Sequence, residues 1–180
     1  QADISFGRLP DGGDGWQPLA SPTPGAANEA VYEGFASLPA ISPEAGFYEG
    51  EIVVTLSTET EGATLYYTTD GSEPYTLGGR FPSGRIYSEP LRITKTTCLR
   101  VKAIKDGWKP SPITTRTYLF LSDIVRQAGT VVDLGSEWPP AGNVSGQSID
   151  YGMDPEIVND PKYSDRIDDA LLAIPSISLV

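Results

Sequence analysis

The stretch EIVVTLS at 51–57 alternates apolar and polar side chains, and the alternation returns in ATLYYTT (63–69) and CLRVKAIK (98–105). A period of two belongs to the β-strand, where successive side chains point to opposite faces. It puts Ile52, Val54 and Leu56 on one face, Leu65 and Tyr67 on another, and Leu99, Val101 and Ala103 on a third. Arg100 and Lys102 fall on the alternate positions of their run, so one face is expected to be buried and the other wet. Further runs are RIYSEPLRIT, with Leu91 and Ile93 inward, and TTRTYLFL. Strand-length runs separated by Gly, Pro and Asp breaks are the pattern of a β-sandwich. The 19 Gly and 16 Pro of the 180 residues favour the same choice, many short strands over long helices.

Composition excludes several kinds of chemistry. The chain has no His, which removes Ser-His-Asp and Cys-His triads and His-ligated zinc. Its one cysteine, Cys98, has no second cysteine for an internal disulfide and no base beside it in sequence, and it is expected to be a packed thiol. No cofactor or metal is called for. The longest apolar runs, YLFL and ALLAI, fall far short of the ~20 residues a membrane-spanning helix needs, so no membrane span is expected. The first residues, QADISFG, lack the charged start and apolar run of a signal peptide; an export signal is expected upstream.

Charge divides the chain into three parts. Residues 1–35, 36–121 and 122–180 carry net charges of −4, 0 and −7, which make up the overall −11. The acidic C-terminal part would repel a phosphate backbone, so nucleic acid is not an expected partner.

The N-terminal part, 1–35, reads as an extended segment. DISFGRL alternates, with Ile4 and Phe6 facing one way, DGGDG forms a turn, a second strand lies around Trp16–Leu19, and a linker follows. Asp11 and Asp14 among the glycines do not have the spacing of an EF-hand loop, and a tight turn is expected. Ser5–Gly15, Trp16 and the PTPGAAN string at 22–28 resemble the closing end of bacterial lamin-tail domains. That likeness implies that the chain begins inside an immunoglobulin-like domain.

Residues 38–121, with the distinctive YYTTDGSEP at 66–74, resemble the chitobiase/β-hexosaminidase C-terminal type domain, a fibronectin-III-like accessory module. The resemblance implies one immunoglobulin/fibronectin-III-like β-sandwich over 36–121, appended to glycosidases or other exported bacterial proteins. Within TTDGSEP, Asp70-Gly71 supplies the positive-φ step of a tight turn, Ser72 bonds local backbone and Pro74 stops further pairing. The functional alternative has Asp70 and Glu73, beside Tyr75, contacting a sugar or an ion. Trp108, in KDGWKPS between two strands, is the candidate exposed aromatic, with Tyr75 or Tyr48 completing a cluster. Packing over the sandwich end is the competing role for that ring. Arg80 and Arg85, in the loop before the next strand, could face an anionic partner or solvent.

Residues 122–180 are expected to form loop and short helices that begin a further domain. A short helix is expected after Ser122, and Asn143-Val144-Ser145 matches the N-glycosylation triplet. Asp154-Pro155 and Asp160-Pro161 each put an N-cap acid before a first-turn proline. Tyr163, Ile167, Leu171 and Ile174 then form one apolar stripe, ended by Pro175, and SISLV reads as an opening strand, so the polypeptide is expected to continue. Asp150–Val180 resembles the stretch just upstream of spore-coat-protein-H-like kinase regions, although this chain has neither the phosphate-binding Gly loop nor the Lys partner such a kinase uses.

Taken together, these readings describe a mainly β, non-catalytic accessory or spacer module of an extracellular or cell-surface protein. Its expected partners are polysaccharide or cell envelope and the neighbouring domains of its own polypeptide. The alternative is the leading part of a spore-coat-protein-H-like kinase or other enzyme completed beyond Val180.

Overall fold

The computed structural model describes residues 5–28, 32–74, 84–127 and 152–175. In chain order the strands are β1 (Ser5–Arg8), β2 (Trp16–Leu19), β3 (Ala40–Ser42), β4 (Gly46–Phe47), β5 (Ile52–Ser57), β6 (Thr64–Thr68), β7 (Arg85–Ile86), β8 (Leu91–Ile93), β9 (Thr97–Ile104) and β10 (Thr114–Leu119). Three short helices follow, α1 (Leu121–Val125), α2 (Pro155–Val158) and α3 (Ile167–Leu172), the last entered through a 3-10 turn at Ser164–Arg166. The described strands form a hairpin β1-β2, a sheet of order β4-β10-β9-β6-β7 and a sheet of order β3-β5-β8. The chain is mainly β, of the sandwich class expected from its alternation.

By internal contacts the chain divides into two units. The first comprises Gln1–Pro43, Val54–Leu91 and Cys98–Arg116. Antiparallel β6 and β9 set Leu65 opposite Ala103 and Tyr67 opposite Val101, so the inward positions of both strands meet on one face. Val101 and Ala103 are fully buried, as are Leu99 and Val54, and Ile41 and Leu56 are buried as a cross-strand pair between β3 and β5. The alternate positions of β9, Cys98 to Ile104, are half-buried. Cys98 thus lies on the face it shares with Arg100 and Lys102, outside the core.

Two buried hydroxyls replace backbone partners where strands end. Ser111 Oγ accepts from the Ala103 N–H at 2.8 Å and donates to the Pro112 carbonyl at 2.8 Å. Thr60 Oγ1 accepts from the Ser37 N–H at 2.7 Å. Each satisfies a donor that would otherwise cost stability in a buried place.

The segment before β3 is more structured than a linker reading suggests. Tyr32 N–H donates to the Pro18 carbonyl, Glu33 N–H to that of Gly107, Lys109 N–H to that of Gly34, and Ala36 N–H to that of Lys109. Phe35 and Lys109 form a parallel bridge. Nothing in the periodicity of YEGFAS announces this pairing, since parallel partners are set by the partner strand and not by local pattern.

The second unit comprises Glu44–Val53, Arg92–Thr97 and Thr117–Val180. Here β4 runs parallel to the end of β10, Gly46 opposite Tyr118 and Phe47 opposite Leu119. Tyr118 is fully buried, with the Tyr48 ring 5.7 Å from it and 6.5 Å from Phe120. Thr96 Oγ1 accepts from the Phe120 N–H at 3.0 Å, and the Asp123 carboxylate accepts from the Thr96 N–H at 2.6 Å. Asp123 is therefore spent on Thr96, and α1 starts at Leu121 without a side-chain cap.

In the same unit Asp154 caps α2 as its sequence predicts, accepting from the Glu156 N–H at 2.8 Å with Pro155 in the first turn. Asp160 instead accepts from the Lys162 N–H, and the α-helix begins only at Ile167. Of the expected stripe Ile167 is buried, Leu171 is half-buried, and Tyr163 and Ile174 are exposed. Asn143 and the 176–180 strand expectation lie outside the described residues.

Candidate functional site

The turn between β6 and β7 begins where β6 stops pairing. Thr68 stands opposite Arg100 in the β6–β9 register, and the chain then bends through Asp70 and Gly71. Gly71 has φ 82°, in the left-handed region where a side chain is strained, so glycine suits the bend. The Asp70 carboxylate accepts from both the Ser72 N–H at 3.0 Å and the Ser72 hydroxyl at 2.6 Å. Thr68 Oγ1 donates to the Ser72 carbonyl at 2.6 Å, closing the loop from its other side.

Strand β9 clamps this loop. Gly71 N–H donates to the Cys98 carbonyl at 3.2 Å, and Arg100 Nη1 donates to the Gly71 carbonyl at 2.8 Å. Lys102 Nζ lies 3.2 Å from Glu73 Oε1, and Pro74 is fully buried. The alternation of β9 places Arg100 among the outward positions but does not mark it as a clamp; it reaches the turn because it stands opposite Thr68, the last paired residue of β6.

Above the loop is an open cleft of about 330 Å³ lined by Tyr67, Thr68, Thr69, Asp70, Ser72, Gly84 and Arg85. Its exposed groups are mostly polar: hydroxyls, one carboxylate and one guanidinium. The hydrogen bond from the Ser72 hydroxyl, followed by that from the Ser72 N–H, holds the Asp70 carboxyl below the usual carboxylate range, so it stays ionised near neutrality. The Thr68 and Ser72 hydroxyls already donate within the loop, so together with Asp70 they line the cleft as fixed acceptors. Among the described residues no grouping of His, Cys, Asp and Glu could hold a metal ion.

Trp108 is half-buried in the β9–β10 connection. Lys105 Nζ lies 4.0 Å from its ring centroid, and the backbone of Gly34 lies against the six-membered ring. Tyr48 belongs to the other unit, packed with Tyr118 and Phe120, while Tyr75 and Arg80 lie outside the described residues. The structure thus brings Asp70 and Arg85 to one cleft, ties Glu73 to Lys102, and gives Trp108 intramolecular neighbours.

At the N-terminus, DGGDG forms the expected turn, with Gly13 N–H donating to the Pro10 carbonyl at 2.8 Å. Asp11 accepts from the Asn28 N–H, Asn28 Nδ2 donates to the Arg8 carbonyl at 3.0 Å, and Thr23 Oγ1 donates to Asn28 Oδ1 at 2.6 Å. Asp11 is thus a latch for the PTPGAAN loop.

The family comparison decides what the turn belongs to. Residues 43–115 match the chitobiase/beta-hexosaminidase C-terminal domain. The resemblance drawn from YYTTDGSEP holds for this segment. The chitobiase-type segment contains the loop, its cleft and Trp108, and it excludes the β1-β2 hairpin and the helices. No curated protein and no solved structure matches the chain.

Proposed function

We propose that this chain is a non-catalytic accessory module of an exported, extracellular or cell-surface multidomain protein, and that it holds its parent against polysaccharide or cell envelope. The observation that carries the reading is the match of 43–115 to a domain named for its place at the C-terminal end of chitobiase and β-hexosaminidase. It supports an accessory domain of glycoside hydrolase-like proteins. The polar cleft adds to it, because Thr69, Ser72, Asp70 and Arg85 present hydroxyl, carboxylate and guanidinium groups suited to sugar hydroxyls. Glu73, Tyr75 and Trp108 are the other candidate contacts. On the same reading, 1–35 and 122–180 are parts of neighbouring modules, and no helix among the described residues is long and apolar enough to cross a membrane.

The test is depletion of the purified chain from solution by insoluble chitin, cellulose and peptidoglycan. Retention by one polymer, weakened by Arg85→Ala or Asp70→Asn, is the expected result. Retention by none of the three overturns the binding role and leaves spacing between domains as the function.

A further inference from the structure

The β1–β2 register pairs Phe6 with Pro18 and Arg8 with Trp16. With the strand period of two, these four side chains share one face and Ser5, Gly7, Gln17 and Leu19 the other. The second face is covered: Gly7 and Leu19 are buried, and a Cβ on Gly7 would meet Asn28 and Leu19 at 2.7 Å. The residues of this chain leave the first face uncovered, with Phe6 54% and Trp16 64% exposed, and Trp16 is the most exposed large hydrophobic residue among those described. Arg8 lies 5.3 Å over the Trp16 ring, which orients the indole and sets guanidinium donors beside it.

Two arguments select the occupant. Full burial of an aromatic side chain covers ~150–250 Å², so two half-exposed rings offer far less than the ~800 Å² each partner gives to a standard protein interface. A sugar ring needs only a flat apolar patch with a few adjacent donors. The net charge of −4 over residues 1–35 disfavours a polyanion and the Arg8 guanidinium on the face disfavours a polycation, leaving a neutral polymer. From these we infer that the Phe6–Trp16 face is a platform for a neutral polysaccharide, a pyranose ring stacking on Trp16 while Arg8 donates to its hydroxyls. This inference rests on the polysaccharide-binding reading above and gives it a site outside the chitobiase-type segment.

The experiment uses the full 180-residue chain and the same three polymers, with Trp16→Ala, Phe6→Ala, Trp16→Phe and Trp108→Ala, each checked for an unchanged circular dichroism spectrum. The expected result is that Trp16→Ala weakens the apparent Kd by about tenfold, the loss of one stacked ring. Phe6→Ala weakens it less, and Trp16→Phe recovers most of the affinity. Wild-type retention that Trp16→Ala leaves unchanged overturns the platform alone, as does loss confined to Trp108→Ala. A Trp16-dependent dimer in analytical ultracentrifugation overturns it in favour of a second copy. No wild-type retention on any polymer overturns the binding reading and the platform with it.

Discussion

The ring of Trp108 lies against the backbone of Gly34: a Cβ built on that glycine would come within 2.9 Å of Cε3 and Cζ3. The contact accompanies the hydrogen bond from Lys109 N–H to the Gly34 carbonyl, so ring and backbone dock together. Gly34→Ala is therefore expected to push the indole aside and destabilise by about 1–3 kcal/mol, the range for overpacking. Thermal unfolding followed by circular dichroism checks this; an unchanged Tm would show that the ring moves freely.

Ser111, only 2% exposed, holds the end of β9 with its hydroxyl. Ser111→Ala removes the acceptor for the buried Ala103 N–H and is expected to cost about 1–3 kcal/mol, the cost of leaving such a group unsatisfied. Urea unfolding should show a lower midpoint at an unchanged slope.

Gly71 and Gly50 differ in backbone strain. Gly71 has φ 82°, in the left-handed region, whereas Gly50 has no positive φ in the strained range and an added Cβ there would meet no other atom. Gly71→Ala is expected to destabilise by about 1–2 kcal/mol. Gly50→Ala should be neutral or stabilising by up to ~1 kcal/mol through the unfolded chain. Equal effects in paired denaturation curves would contradict the assignment of strain to position 71.

The Asp70 carboxyl is lowered from 3.8 chiefly by the Ser72 hydroxyl. A depressed acid contributes stability that is complete above its unfolded pKa and lost as pH falls through the folded one. The stability difference between wild type and Asp70→Asn should thus shrink below pH 3.8, while Ser72→Ala should move the Asp70 titration upward. A carboxyl NMR titration of Asp70 in the two backgrounds measures the shift directly.

Sequence alternation announces the inward faces of β5, β6 and β9 because every second residue is apolar from Val54 to Leu56, Leu65 to Tyr67 and Leu99 to Ala103. The turn at Asp70–Ser72 is equally legible, since Asp, Gly and Ser each bring their own local bond or dihedral. Three features are not legible. The docking of 33–36 on 107–109 depends on a partner far along the chain. The exposed side of the hairpin carries Phe6 and Trp16, which composition alone assigns to an interior. Asp123 has the place of a first-turn helical acid yet serves Thr96, a contact made only after β10 has brought Phe120 alongside.

The parallel bridge of Phe35 with Lys109 also sets how this chain carries mechanical tension. A pull on the hairpin from the N-terminal side, opposed through the residues after Lys109, acts along the axis of the paired segments and loads the bonds of Glu33, Ala36 and Lys109 together. In that shear geometry they must break as a set. An antiparallel pairing at the same place would have peeled open one bond at a time.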